Sequence, residues 1–407
     1  MTEDGKICPL SSGLCPLTKG WDMLERALTG GTRYKKLLGV LLVFMGLGFA
    51  AYLTQWNRGL TITGLSRDVS WGLYIAQFTF LVGVAASAVM VVLPYYLHDV
   101  KAFGKITILG EFLAIASVTM CLLFIFVDLG KPMRILNVLL YPTLNSVLFW
   151  DMIVLNGYLL LNLLIGWNVL EAERKGTHYP KWVKPLIYIS IPWAVSIHTV
   201  TAFLYAGLPA REYWLTAILA ARFLASAFCS GPALLIMLSY LVKKYSKFDP
   251  GKEAIDKLAT IMTYAMLISV FFVGLEFFSA FYSNIPSHMD ALKYLFVGLE
   301  GHHNLVPFMW LFAILAVTAV VLLLHPNVRK NEKMLLTAAA CVFFSMYIEK
   351  GVGLIVAGFI PNPFDQVREY APSVPEIMIV LGIWATGFFV LTVLYKIAIS
   401  VKEEVEA

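Results

Sequence analysis

The sequence predicts an all-α membrane protein that crosses the bilayer about ten times. Hydrophobic residues make up 59% of the 407 residues, and charged residues make up only 14%. Soluble domains carry roughly 25% charged residues, so this composition indicates a chain embedded in lipid. The apolar residues are gathered into long runs, and short charged segments separate these runs.

Ten apolar runs are long enough to span a bilayer, which needs about 20 mainly apolar residues per helix. Several tryptophans lie at or near the ends of these runs, as expected for the aromatic belts of membrane interfaces. The runs lie near residues 37–55, 70–97, 105–128, 146–168, 184–206, 212–242, 258–284, 305–325, 334–360 and 374–399.

Lysine and arginine are distributed unevenly between alternate loops. The two tails and every second loop hold 22 of the 31 basic residues, whereas the other five loops hold 7. Positive residues favour the cytoplasmic side, so both termini are predicted to be cytoplasmic in the cell membrane. Before the first span, Trp21, Leu24 and Leu28 share one helical face. Either an interfacial helix or an ordered tail packed on a partner would explain this pattern.

Helices two to five and helices six to nine share a pattern of residues, which indicates a parallel internal repeat. The paired positions are Trp71 with Trp214, Asp128 with Glu276, Asn145 with Asn304, His198 with Glu349, and Gly207 with Gly358. The predicted architecture is therefore two four-helix bundles flanked by helices one and ten. Its segments are a cytoplasmic tail (1–36), the first helix with its outer loop (37–69), the first bundle (70–206), the second bundle (207–360), and the last helix with a cytoplasmic tail (361–407).

Polar and ionisable residues inside the predicted spans are candidates for function, because a charge at mid-bilayer costs about 2.5–3.5 kcal/mol. In the first bundle they gather towards the outer side, beneath a loop that carries Lys131 and Arg134. A polar pocket is predicted there; interface residues, helix caps or a hydrogen-bonded core histidine are the structural alternatives. The candidates for this pocket are Tyr74, Gln77, Asp128, Asp151 and His198.

The second bundle gathers charges nearer the middle of the membrane. Arg222, Glu276, Glu349 and Lys350 are predicted to form one connected network, which would be either a proton path or a static ion pair. Glu111 lies in the inner third of helix three; it is a further candidate for a proton path, or its side chain simply reaches the cytoplasmic interface.

Cofactor ligands are scarce in the sequence. A bis-histidine heme needs two histidines that face each other in the membrane, and only His198 of the seven histidines is deep. The five cysteines form no four-cysteine cluster, and no glycine-rich phosphate motif is present. The chain is therefore expected to hold no heme, iron–sulfur cluster or metal. It is expected to contact the lipid bilayer and not to bind nucleic acid.

Two segments carry a resemblance to a known family. FVDLGKPMRILNVLLYPTLNSVLFWDMIVLNGYLL (126–160) contains the pattern DLGxPxR, and IPWAVSIHTVTAFLYAGLP (191–209) contains SxHT. With these segments the chain resembles, over almost its whole length, the NrfD-like or polysulfide reductase membrane subunit family. Its N-terminal tail and helix five are most similar to the DsrP branch, which belongs to DsrMKJOP complexes.

The resemblance transfers residue by residue. Asp128, Gly130, Pro132 and Arg134 match the DLGxPxR hallmark, and Lys131 stands where arginine is common in the family. That change keeps the positive charge but loses the bidentate guanidinium. His198 matches the motif of helix five.

The family resemblance implies exchange of electrons between menaquinone or menaquinol and an extracytoplasmic iron–sulfur protein, which would be DsrO-like here. Further membrane, heme and iron–sulfur subunits (DsrM-, DsrK- and DsrJ-like) and a link to sulfate or sulfite reduction are expected. Whether protons are translocated stays open. Catalytic roles are expected for Asp128, Asp151 and His198, and quinone-binding roles for Trp71, Tyr74, Gln77, Arg134 and His198. Tyr74 and Gln77 are included for their position on helix two and match no motif of the family.

Quinol chemistry agrees with these residue types. A quinone pocket needs hydrogen-bond partners for two oxygens and a titratable group that takes protons, and histidine with a carboxylate supplies both. A secondary transporter is the alternative function, because parallel repeats and buried charges suit that class as well.

Overall fold

The computed structural model describes Met23 and residues 25–406. Within these residues every long element is helical and no strand is present. Ten helices are long and apolar enough to cross a membrane, which confirms the predicted fold class and the number of spans. They are α1 (Thr32–Ile62), α2 (Leu73–Leu97), α3 (Thr107–Asp128), α4 (Val147–Arg174), α5 (Val183–Ala206), α6 (Leu219–Tyr245), α7 (Lys252–Tyr282), α8 (Val306–Leu324), α9 (Glu332–Ala357) and α10 (Val374–Val405).

The N-terminal tail and the loops differ from the parts of the chain that the sequence analysis could predict. Trp21 and Leu24 of the predicted interfacial helix lie outside the described residues. The loops also contain short α-helices that the sequence analysis did not predict, among them Asn137–Leu140 and Pro286–Phe296. Both are too short to produce a run of membrane-spanning length, so a search for long apolar runs does not detect them.

Two of the spanning helices are irregular. The α-helical pairing of α2 is interrupted at Ala86, between Leu73–Ala85 and Ser87–Leu97. The α9 helix contains a π-helical segment, Tyr347–Gly353, followed by Leu354–Ala357. Such π-helical segments shift the face on which the following side chains lie and occur frequently at functional sites.

The spanning helices α2 to α9 pack in two closed groups of four. In the first half, α2 packs on α3, α3 on α4, α4 on α5, and α5 returns to α2. In the second half, α6 to α9 follow the same closed order. Contacts of α2 and α5 with α6 join the two groups, and α10 packs on α1 and α3. We call the two groups the first and second bundles; their origin by duplication stays a prediction.

The loops lie at the two opposite ends of the spanning helices, which we call faces, and hydrogen bonds or ion pairs connect distant segments on each face. On the first, Glu376 Oε2 accepts a hydrogen bond from the backbone N–H of Gly64 (2.6 Å), and Asn362 Nδ2 donates to Asp68 Oδ1 (3.1 Å). On the second, Lys402 Nζ lies 2.7 Å from Glu173 Oε1. The first, here the Asp128 face, contains the loops 63–72, 129–146, 207–218, 283–305 and 358–373. The second, here the terminal face, contains both described chain ends and the loops 98–106, 175–182, 246–251 and 325–331.

The peripheral helix α1 is held mainly by α10, and two glycines make that contact close. A Cβ atom added at Gly48 would lie 2.6 Å from the Cα atom of Gly382, and the reverse distance is 2.7 Å. Small residues allow membrane helices to approach at backbone distance, and packing supplies much of their association energy. The position of α1 therefore depends on these two glycines.

Replacing Gly48 with leucine should loosen α1 from α10, because no space exists for the side chain. Overpacking of this kind costs about 1–3 kcal/mol, so the thermal unfolding temperature in detergent should fall. Gly39→Leu is the matched control, since no atom lies within 4 Å of a Cβ atom at that position of the same helix. Equal unfolding temperatures for the two variants would contradict the packing described for α1.

Candidate functional site

Aromatic rings fill the junction of the two bundles at the Asp128 face. Trp71 stacks on Trp214 with ring centroids 5.9 Å apart, and Tyr205 lies 5.2 Å from Trp214. Trp214 Nε1 donates to the carbonyl oxygen of Leu354 (2.9 Å). A Cβ atom at Gly358 would lie 1.9 Å from the Trp214 ring, so only glycine leaves room for it. The paired tryptophans of the predicted repeat thus contact each other.

Beneath these rings, the interior of the first bundle is polar. Thr201 Oγ1 donates to Asp151 Oδ1 (2.7 Å), and this hydrogen bond joins α4 to α5. The hydroxyls of Thr79 and Tyr205 lie 2.5 Å apart and join α2 to α5. His198, Thr201 and Tyr205 are three and four residues apart, so they share one face of α5. Sequence reasoning identified His198 and Asp151; the spacing from His198 could also have identified Thr201 and Tyr205.

Several polar atoms of this interior have no hydrogen-bond partner among the described residues. They include Asp151 Oδ2 and both ring nitrogens of His198. His198 is fully buried, and Asp151 is 1% exposed. A buried polar group without a partner costs about 1–3 kcal/mol. A polar ligand that formed hydrogen bonds with these atoms would remove that cost, so they mark a candidate binding site.

Asp128 lies at the last residue of α3, and its Oδ1 atom is also buried without a partner among the described residues. The carbonyl of the preceding Val127 accepts from Gln55 Nε2 (2.6 Å), and Gln55 Oε1 accepts from the Tyr74 hydroxyl (2.7 Å). Tyr74 therefore anchors α2 to α1 close to Asp128. Gln55 was not a sequence candidate, although an amide inside an apolar run such as α1 is a signal that could have identified it.

Gln77 faces a different set of neighbours. Its Nε2 atom donates to the Tyr347 hydroxyl (2.6 Å), and its Oε1 atom accepts from Trp384 Nε1 (2.9 Å). The side chain thus connects α2 to α9 and α10. The structure buries Asp151 and His198 in the bundle interior and bonds Asp151 to Thr201, one turn from His198 on α5. Tyr74 and Gln77, by contrast, are hydrogen-bonded to elements outside the first bundle.

The loop after α3 presents its candidate residues at the surface. Lys131 and Arg134 are exposed at the Asp128 face. Next to them are large apolar side chains that the sequence analysis did not single out, with Met133 81% and Tyr141 75% exposed. This loop therefore combines positive charge with exposed apolar surface, a combination suited to a protein partner or a membrane interface.

The charges of the second bundle are in contact. Arg222 Nη2 pairs with Glu349, and Arg222 Nη1 lies 3.5 Å from Glu276 Oε1. Thr216 Oγ1 also donates to Glu276 Oε1 (3.1 Å). A cavity of about 10 Å³ adjoins the three charged groups, which is roughly the space of one water molecule. The contacts agree with the expected network; a proton-path role for it stays a prediction.

Lys350 connects this network to the first bundle. The π-helical segment of α9 carries both Glu349 and Lys350. Lys350 Nζ donates to the backbone carbonyl oxygen of Phe223 (3.2 Å) and lies 4.4 Å from the centroid of the Phe223 ring. A Cβ atom at Gly83 would lie 3.1 Å from Nζ, so the ammonium group sits between α6 and α2.

Glu111 lies apart from both clusters, about one turn inside α3 from the terminal face. It is 1% exposed, and neither of its carboxylate oxygens has a hydrogen-bond partner among the described residues. Its side chain lies against α4, where a Cβ atom at Gly166 would be 3.1 Å from Oε2. Across the part of the chain that the structure describes, no group of three His, Cys, Asp or Glu side chains could hold a metal ion.

The fold and this site define a ten-helix membrane protein with a partly unpaired polar interior. The sequence profile described as polysulphide reductase, NrfD, matches residues 61–360, and the chain belongs to this family. The match includes α2 to α9, together with both buried clusters. The resemblance seen in the DLGxPxR and SxHT segments is thereby confirmed at the level of the family.

Similar proteins are named as subunits of oxidoreductases. A putative dimethyl sulfoxide reductase membrane subunit of Halobacterium salinarum is 25% identical, covering 89% of this chain and 90% of its own. A selenate reductase subunit of Mesobacillus selenatarsenatis is 28% identical over 64% of this chain and 68% of its own. An Hdr-like menaquinol oxidoreductase integral membrane subunit of Archaeoglobus fulgidus is 22% identical over 91% and 94%.

Proposed function

We propose that this chain is the quinone-reactive membrane subunit of a respiratory oxidoreductase. The main support is that buried polar atoms of His198 and Asp151 in the first bundle have no hydrogen-bond partner among the described residues. Support comes from the NrfD family and from a relative named as a menaquinol oxidoreductase subunit. A secondary transporter is the second candidate, because α2 and α9 are both irregular beside buried charges.

The polar groups of the first bundle offer the chemistry that a menaquinone ring requires. Menaquinol, when bound, supplies two electrons and two protons. His198 offers a ring nitrogen that can donate to, or accept from, a quinone oxygen, and Asp151 Oδ2 can take a proton. Thr201 holds the other oxygen of Asp151 and thereby orients the carboxylate. Trp71 and Tyr205 supply an aromatic wall towards the Asp128 face.

Electron exchange requires a partner, because heme and cluster ligands are scarce in the sequence. We place that partner, an iron–sulfur protein of the DsrO type, on the Asp128 face, which the distribution of lysine and arginine predicts to be extracytoplasmic. Lys131, Arg134 and the exposed apolar side chains around them form the proposed docking surface. DsrM-, DsrK- and DsrJ-like subunits and a role in sulfate or sulfite reduction belong to the same proposal.

The second bundle would handle protons. Arg222, Glu276 and Glu349 keep ionisable groups in contact within the membrane, and Lys350, at the adjacent position, places its ammonium group beside Gly83 of the first bundle. Such a series of groups can relay protons between the quinone-reactive bundle and the rest of the protein. Glu111 would serve the terminal-face half of such a path.

His198→Ala should lower menaquinol-linked turnover by roughly 100-fold or more, because general acid–base groups contribute about 10²–10⁴. The measurement is quinol oxidation by the purified complex. Thr199→Ala is the control, since the Thr199 hydroxyl bonds only to the carbonyl of Val195, one turn earlier on the same helix. Full turnover in an assembled His198→Ala complex would remove this histidine from the mechanism and favour the transporter.

Reversing the charge of the Asp128-face loop with Lys131→Glu and Arg134→Glu should reduce the amount of iron–sulfur protein that co-purifies. The residual binding should lose salt dependence, because exposed charges act through a screened field. The matched control is Lys330→Glu with Lys333→Glu on the terminal face, where both lysines are exposed. A partner lost only with the control pair would contradict the proposed docking side.

Glu276→Gln keeps the shape of the side chain and removes its charge. In proteoliposomes a proton-path role predicts altered proton uptake or release per electron, with quinone binding largely retained. Glu300→Gln, at an exposed position of the Asp128 face, is the control. Unchanged electron transfer and unchanged proton stoichiometry in Glu276→Gln would show that the network is only structural.

A further inference from the structure

A glutamine of α1 contacts the first bundle near the Asp128 face. Gln55 is only 3% exposed, although α1 is otherwise a largely exposed helix at the periphery of the molecule. It precedes the segment 61–360 that the family profile matches. An amide buried within a membrane span must form its hydrogen bonds inside the protein, because lipid offers none. Its partners therefore indicate what the side chain does.

The amide group of Gln55 is hydrogen-bonded through both of its polar atoms. Nε2 donates to the backbone carbonyl oxygen of Val127 (2.6 Å), and Oε1 accepts from the Tyr74 hydroxyl (2.7 Å). A backbone carbonyl can only accept, so the NH₂ group must face Val127, and the amide oxygen is left for Tyr74. One side chain thus connects α1 to the end of α3 and to the start of α2.

The bond to Val127 acts on the C-terminal end of α3. The last four carbonyl groups of an α-helix have no partner within the helix, and Val127 is the last residue but one of α3. Its carbonyl belongs to the same peptide group as the backbone nitrogen of Asp128. Because a peptide group is planar, a hydrogen bond that fixes this carbonyl also fixes the backbone that carries the Asp128 side chain.

The Asp128 carboxylate keeps one oxygen available for a ligand. Its Oδ1 atom is buried and has no hydrogen-bond partner among the described residues. Tyr52, one turn before Gln55 on α1, packs on Phe126 with ring centroids 5.7 Å apart. Both contacts from α1 therefore hold the last turn of α3, and neither of them occupies this carboxylate oxygen.

We propose that Gln55 is a positioning residue for the quinone site. Through the Val127 carbonyl it holds the Asp128 carboxylate in place, and through the Tyr74 hydroxyl it holds the start of α2. This inference rests on the proposed quinone-reactive function and on the catalytic role expected for Asp128. It makes the peripheral helix α1 a part of the functional unit.

Gln55→Met keeps the length of the side chain and removes both hydrogen bonds. A misplacement of about 1 Å can cost about 100-fold in rate, so kcat for menaquinol oxidation by the purified complex should fall roughly tenfold to 100-fold. KM should change little, because His198 and Asp151 are unaltered. Thr54→Val is the matched control and should keep kcat, since the exposed Thr54 hydroxyl bonds to the Ala50 carbonyl of its own helix (3.3 Å).

A double variant separates positioning from a general effect on packing. If Gln55 acts through Asp128, Gln55→Met should cause little further loss of kcat in a chain that already carries Asp128→Asn. Gln55→Glu keeps an acceptor for Tyr74 but, when ionised, cannot donate to Val127. This variant should lose kcat in the same direction, and it replaces Gln55→Met in the comparison if that variant fails to fold.

The proposal is overturned if the losses from Gln55→Met and Asp128→Asn multiply independently in the double variant. Full turnover in either single variant would overturn it as well. A failure of the proposed function itself is distinguishable from these outcomes, because it would appear as full turnover in the assembled His198→Ala complex.

Discussion

Lipid offers no hydrogen-bonding partner, so each polar group within a membrane span must find one inside the protein. This constraint separates the two bundles. In the second bundle the guanidinium group of Arg222 lies between the carboxylates of Glu276 and Glu349, and a hydroxyl supports one of them. In the first bundle, His198 and one oxygen of Asp151 lack any such partner among the described residues. In the second bundle one Arg222 nitrogen also lacks a hydrogen bond, but its charge is balanced by two carboxylates, whereas the imidazole of His198 has no polar partner at either nitrogen among the described residues.

Irregular helix geometry connects the two environments. The π-helical segment of α9 turns Glu349 towards Arg222, whereas the next residue, Lys350, reaches between α2 and α6. The contact is possible because Gly83 leaves room for the ammonium group on α2. Consecutive side chains of a regular α-helix are about 100° apart. The wider turn of a π-helical segment changes this angle and therefore the directions of the Glu349 and Lys350 side chains. The charge of one bundle thus reaches the interior of the other.

Apolar run length alone predicted the ten spans, because the bilayer dictates helix length. Charge pattern likewise predicted that Arg222 would meet Glu276 and Glu349, because isolated charges at that depth are costly. The directions of Tyr74 and Gln77 were not predictable in this way. Both lie on α2, which is buried on every side, and hydrophobic periodicity cannot distinguish faces on such a helix.

Loop contacts were the other feature that the sequence did not reveal. Glu376 lies in the first turn of the last span and was not a candidate residue, yet it is fully buried. Its Oε1 atom accepts from the Tyr370 hydroxyl (2.6 Å), and its Oε2 atom accepts from Gly64 across the Asp128 face. The partners are six and 312 residues away, and no local pattern encodes a contact of the second kind.

The most direct test of the account is a cryo-electron microscopy structure of the purified complex with a menaquinol analogue bound. The account predicts the ring inside the first bundle, with one ring oxygen within hydrogen-bond distance of a His198 nitrogen and Asp151 close by. A ring bound in the second bundle or at the terminal face, with His198 and Asp151 hydrogen-bonded to other groups of the protein, would contradict it.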